Sequence, residues 1–190
     1  MEAVTIDWRE LSMTAAMYVV KTLRLYRLPR ITGTAHPFGD YFKGFDKVEA
    51  VRRIFGEKTE RVLRDLQVEF TWAGGYMGVN STNGHLMVSS RYLNEGDKID
   101  IYLDVIHELV HVKQFMDGKE LFDSHYSYTE RPTEIEAYRC AVEEARRLGL
   151  SDARISKYLK TEWMSDKELE RLASTVNVAL KQARAKSQSS

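Results

Sequence analysis

The sequence predicts an α+β fold: a small antiparallel sheet followed by a helix pair, with helical N- and C-terminal extensions. Three observations predict it. Short alternating runs at 67–72, 76–80 and 85–90 are separated by Gly74-Gly75 and Asn83-Gly84, which are turn signals. Two long segments, 98–116 and 132–148, repeat apolar residues every three or four positions, the helical period. The flanks on both sides are also helical in pattern. One domain is expected over 1–185, divided into a helical N-terminal part (1–65), the sheet with its helix pair (66–148) and accessory helices (149–185), with 186–190 a flexible tail.

From the N-terminus, Leu11, Ala15, Tyr18, Val19, Thr22, Leu23 and Tyr26 mark one side of an amphipathic helix over 8–28, closed by Leu28-Pro29. Residues 30–45 read as an aromatic loop that either roofs a cleft or plugs a core edge, the second being favoured. Two short helices follow, about 46–56 and 57–66, and then the three strands. Asp97 can cap the first long helix, and Asp117-Gly118 closes it. Pro132 suits the first turn of the second, which stops at Gly149. Ser151-Asp152 caps a helix reaching about Lys160. Ser165 with Glu168 resembles a capping box ahead of Leu169, Leu172, Ala173, Val176 and Leu180.

Within the first long helix lies His107-Glu108-Leu109-Val110-His111, an H-E-x-x-H pattern. Positions four apart share a helix face, so both imidazoles can reach one metal ion. Glu108 then points beside that ion, where a general base acting on a zinc-bound water sits. The helix is rich in apolar residues, and two histidines and a glutamate are costly inside it unless something satisfies them. A third protein ligand is required, with the fourth position left open. On the second helix Tyr138, Ala141, Val142, Ala145 and Leu148 form the inward stripe, and one turn back from Tyr138 lies Glu134. Glu134 is therefore the favoured third ligand. Glu136 falls on a more polar face and ranks second, and Glu130 precedes Pro132 in a loop. The intervening segment 118–131 offers His125, Tyr126 and Tyr128 as donors for an oxyanion; the sequence does not choose among them.

A H-E-x-x-H helix followed by a glutamate on a second helix resembles the gluzincin zinc metallopeptidases, the thermolysin-like clan. Glu134-Ile135-Glu136-Ala137-Tyr138 is similar to that clan's E-x-E-A-D stretch with tyrosine in the aspartate's place. The lead-in of strands and helix is similar to the small minimal gluzincins, and the likeness covers roughly 66–148. It implies zinc held by His107, His111 and Glu134, with Glu108 as catalytic base and His125 or Tyr128 assisting. It also implies that an extended peptide adds to an edge strand near the cleft, in the region of residues 85–90 where His85 sits. The aspartate missing at position 138 would orient a ligating histidine, and Asp104, three residues before His107, is the expected substitute.

Composition narrows the partners. Lys and Arg number 28, as do Asp and Glu, for a formal net charge of zero. That argues against broad binding to nucleic acid or to an anionic membrane. A single cysteine, Cys140, forms no intrachain disulfide and fits a reducing compartment. Residues 1–7 lack a signal-peptide pattern, and no run approaches a membrane span, so a cytoplasmic protein acting on a peptide or protein substrate is expected. The alternative is a catalytically silent zinc-containing module that binds a peptide or protein. Oligomeric state is left open by the sequence.

Overall fold

The computed structural model describes residues 34–72 and 75–180. The helix expected over 8–28 and the tail at 186–190 lie outside them.

Alternation builds the strands. In order they are β1 (Ala35–Pro37), β2 (Gln67–Thr71), β3 (Met77–Val79) and β4 (Leu86–Ser89). Val68 and Phe70 of β2 face the core while Gln67, Glu69 and Thr71 face outward, the period of two expected of a sheet with one covered face. The sheet order is β1-β2-β4-β3. It is mixed rather than antiparallel, which corrects the expectation from sequence. β1 runs antiparallel to β2 and β3 antiparallel to β4, but β2 and β4 are parallel, with Val68 opposite Leu86 and Phe70 opposite Val88. Apolar content explains the order. Leu86 and Val88 are fully buried, so β4 takes the centre beside β2. Strand β3 carries Gly78 in its middle and only Val79 fully inside, which suits an edge. The Asn83-Gly84 turn closes β3 onto β4, with Gly84 at φ 73°. A Cβ there would meet the Phe115 ring at 2.5 Å, so glycine is demanded twice.

The helices are α1 (Phe38–Tyr41), α2 (Glu49–Phe55), α3 (Thr59–Asp65), α4 (Ser90–Glu95), α5 (Lys98–Met116), α6 (Pro132–Arg147), α7 (Asp152–Leu159) and α8 (Asp166–Thr175). The segment read as an aromatic loop is therefore partly ordered into β1 and α1. Phe38, Phe42 and Phe45 stack on one another at 5.0–6.2 Å, and Phe45 reaches Tyr102 at 5.6 Å. These rings close a core edge, and none lines the cleft described below.

Helix α5 is the spine. The Asp97 carboxylate accepts hydrogen bonds from the Ile99 and Asp100 amides at its start. At its end the Lys119 amide reaches back to the Gln114 carbonyl at 2.9 Å across Gly118, at φ 74°. Between these caps it is buried almost all round, packing on α6, α2 and β3. Helix α6 begins with Pro132 and lays Tyr138, Ala141, Val142 and Ala145 against α5, the stripe read from the sequence. Ser151 caps α7, and Ser165 with Glu168 forms a capping box at α8. Helix α8 stops at Thr175, short of the expected Leu180. Asn177 adopts φ 58°, and the Val178 amide bonds the Ala173 carbonyl at 2.8 Å, so a left-handed cap turns the chain and buries Val178.

Candidate metal centre

Position and period bring His107 and His111 together. One turn apart on α5, their rings lie 4.8 Å apart and their Nε2 atoms 3.1 Å apart. Glu134 enters from the first turn of α6. Its Oε1 faces Arg131 at 3.8 Å, and its Oε2 lies 3.3 Å from His107 Nε2 and 3.5 Å from His111 Nε2. All three side chains are buried. Their ligand atoms lie within 4.8 Å of one another, so the cluster could hold a metal ion. Three candidate ligand atoms converge, and His107 Nδ1 makes no hydrogen bond among the described residues.

One imidazole of the pair has a fixed tautomer. Gln114, fully buried, donates from Nε2 to the Thr133 carbonyl at 3.0 Å and to Glu136 at 2.8 Å. Its Oε1 therefore faces His111 Nδ1, 2.7 Å away, and accepts that proton. His111 is left with Nε2 toward the cluster, the arrangement a metal-ligating histidine needs. Gln114 is a residue of the candidate site that sequence reasoning missed. Its signal was available, because it follows His111 by three and so shares its face.

The charges couple. Burial pushes the His107 imidazole below its usual range, and the neighbouring His111 adds to this while Glu134 opposes it. Burial also acts against a charged His111, but contact with Glu134 and the charges of Glu108 and Glu134 outweigh it and raise His111 to about 9. Burial would raise the Glu134 carboxyl; its contacts with the two imidazoles hold it well below the usual carboxylate range instead. Without metal, then, a proton on His111 Nε2 sits among the three groups. Glu108 is buried beside them with Oε2 lacking a partner among the described residues, and burial pushes it up to about 8.

These residues line a cleft of about 370 Å³. Edge strand β3 forms one wall with Tyr76, and Tyr92, Asp104, Tyr128, Tyr138, Tyr158 and Trp163 complete the far side. Tyr128 and Tyr138 join hydroxyls at 2.9 Å, and the Tyr138 ring packs edge-on against His107 at 4.4 Å between centroids. An aromatic edge thus stands where the gluzincin resemblance expected a carboxylate. Asp104 does not take over that role. Its Oδ2 instead accepts from Tyr92 of α4 at 2.5 Å, and His107 Nδ1 is left without a partner among the described residues.

The other expected groups lie elsewhere. His125 is exposed and bonds Asp123, Tyr126 is exposed, and neither lines the cleft. Glu136 is held by Gln114 and Lys119, and Glu130 pairs with Arg171 at 2.8 Å. His85 pairs with Glu69 at 2.5 Å, outside the cleft. Residues 85–90 do not supply the edge beside the cleft, because β4 is central in the sheet; β3 does.

Set against protein-family models, curated proteins and solved structures, the chain matches none. Its function is read from the site itself. Among the described residues no helix is long and apolar enough to cross a membrane.

Proposed function

We propose that this protein is a zinc-dependent peptide hydrolase with His107, His111 and Glu134 as the zinc ligands and Glu108 as general base. The carrying observation is the donor triangle of 3.1, 3.3 and 3.5 Å. Zn–N and Zn–O bonds near 2.0–2.2 Å at tetrahedral angles require edges of about 3.3–3.5 Å, so the triangle fits a zinc-sized ion to within about 0.2 Å. Two imidazoles and one carboxylate are a catalytic rather than a closed donor set. With Glu130, Glu136 and His125 all engaged or placed elsewhere, the fourth position faces the cleft.

Zinc, when bound there, supplies Lewis acidity toward the scissile carbonyl and lowers the pKa of water. The chain's own residues do the rest. Glu108, beside the ligands on the cleft, takes the proton of the attacking water and returns it to the leaving amine. Tyr128, whose hydroxyl faces the cleft beside Tyr138, is the oxyanion donor. The edge of β3, unpaired among the described residues, offers main-chain hydrogen bonds to an extended peptide.

The test pairs metal analysis with cleavage of a peptide library. The parent should hold one zinc per chain and cleave. Glu108→Gln should keep the zinc and lose activity by about 10²–10⁴-fold. A Glu108→Gln variant that cleaves like the parent refutes the mechanism. One observation favours a second reading, a peptide-binding module that does not cut: His107 Nδ1 lacks an acceptor among the described residues and meets Tyr138 instead of a carboxylate. Zinc-loaded parent that binds peptides without cleaving any would select it.

A further inference from the structure

Helix α5 presents a second carboxylate to the cleft, one turn before Glu108. Asp104 and Glu108 are four residues apart on one face, about 6 Å along the axis. The next acidic residue along that row, Asp100, already has a cation, since Arg154 Nη2 lies 2.6 Å from its Oδ1. Asp104 has none. Its partners are the neutral hydroxyls of Tyr92, at 2.5 Å, and Tyr158, and no lysine, arginine or histidine among the described residues is paired with it. Burial raises its carboxyl to about 6, the Tyr92 and Tyr158 hydroxyls partly offsetting that and the charge of Asp100 adding to it. A carboxylate so enclosed is costly without a positive partner.

The walls around it are mostly aromatic; Lys160, also on the cleft lining, is held by Asp166 at 2.7 Å, and Lys157 acts on Asp100. Tyr92 and Tyr76 meet edge to face at 4.8 Å, and Tyr76 meets Trp163 at 5.6 Å. With Tyr158 they form an aromatic surround at this end of the cleft, and aromatic faces attract positive charge. An extended peptide rises about 3.3 Å per residue, so 6 Å from the base corresponds to about two residues from the bond under attack.

We propose that Asp104 and its aromatic surround form a subsite for a cationic group of the substrate, within two residues of the scissile bond. This rests on the peptide-hydrolase reading of the same cleft and makes that reading narrower. The cation is either the protonated α-amine of a peptide's first residue or a lysine or arginine side chain. Both are monopositive nitrogen groups able to donate to Asp104, and the experiment separates them.

Binding to the zinc-loaded full chain is measured by titration calorimetry with three probes. N-acetyl-arginine amide carries only the side-chain cation, norvaline amide only the α-amine, and N-acetyl-norvaline amide neither. One cationic probe should bind at least about tenfold tighter than the neutral one. Its identity tells side-chain recognition from amine recognition. In Asp104→Asn the preference should shrink to less than about threefold. Equal binding of all three probes to the parent overturns the proposal without recourse to a variant, so a poorly folding Asp104→Asn does not rescue it. A preference that survives in folded Asp104→Asn overturns it too. Because the readout is binding, the two hypotheses fail separately. Cation preference without cleavage removes only the hydrolase reading, and cleavage without cation preference removes only this subsite.

Discussion

Replacing Gln114 with methionine tests whether the metal centre depends on what lies behind its ligands. The exchange keeps length and volume but deletes every polar atom. In the parent, Gln114 accepts the His111 Nδ1 proton at 2.7 Å and donates to the Thr133 carbonyl at 3.0 Å and to Glu136 at 2.8 Å. Glu136 keeps Lys119, so two groups lose their partner: the His111 Nδ1–H and the Thr133 carbonyl. Each orphaned buried group costs about 1–3 kcal/mol, so unfolding free energy should fall by about 2–6 kcal/mol. Only the His111 share acts on the metal, because only there does a ligand lose its orientation and tautomer. Loss of such an outer partner lowers metal affinity about 10–100-fold, or about 1.4–2.7 kcal/mol. Gln114→Glu is the control. It preserves an acceptor for His111 but sets a second carboxylate against Glu136, so it should destabilise the fold while leaving zinc affinity within about threefold of the parent. Zinc competition with a chromophoric chelator reads affinity, and urea unfolding of the metal-free chains reads stability. If Gln114→Met binds zinc as tightly as the parent while unfolding earlier, Gln114 is only a packing residue and the tautomer argument fails.

Three further outcomes are expected. His111 in the metal-free fold sits at about 9, above its unfolded value near 6.5, so its stabilising contribution is complete below about pH 6.5 and lost as pH rises through 9. Zinc must displace that proton, so its apparent affinity should climb about tenfold per pH unit up to about 9, and calorimetry in buffers of different ionisation enthalpy should show about one proton released at pH 7; no proton release would contradict the assignment. Tyr128→Phe should lower kcat by about 10²-fold with zinc content unchanged, whereas His125→Ala, at an exposed position outside the cleft, should change neither; equal rates for Tyr128→Phe would remove it as oxyanion donor. Glu108→Leu, which replaces a buried carboxyl lacking a partner for Oε2, should abolish hydrolysis yet raise the metal-free protein's unfolding free energy by about 1–3 kcal/mol, and earlier unfolding in urea would show that the carboxyl is satisfied.

Much of the site was legible because it depends on local periodicity. Spacing of four places His107 and His111 on one face whatever else the chain does, and the stripe running back from Tyr138 picks Glu134 over Glu136. What failed depends on neighbours distant in sequence. Alternation fixed which residues of β2 and β4 face inward but not which strands touch, and parallel pairing of β2 with β4 follows from their apolar content competing for the centre. The expected bond from Asp104 to His107 is allowed by helix geometry, yet a tyrosine arriving from α4 takes Asp104 first. Helix α8 ends early because Asn177 accepts a left-handed conformation, while Val176, Val178 and Leu180 leave the apolar pattern looking unbroken.

Helix α5 is both the spine of the fold and the element that carries most of the candidate site. Its apolar rows are buried against α2, α6 and β3, which fixes its position to the precision that metal ligation needs. Its polar row, Asp100, Asp104, Glu108 and His111, is then enclosed by the same packing. Each member of that row is costly in proportion to what it lacks. Arg154 neutralises Asp100, Gln114 orients His111, and neutral tyrosine hydroxyls reach Asp104, while Glu108 Oε2 has no partner among the described residues. All three carboxylates of the row line the cleft where a substrate would lie, and two of them, Asp104 and Glu108, have no arginine or lysine paired with them among the described residues. A row selected only for stability would be filled with leucine at those positions. Keeping charge there is therefore the strongest physical sign that α5 is held for what enters the cleft as well as for the fold around it.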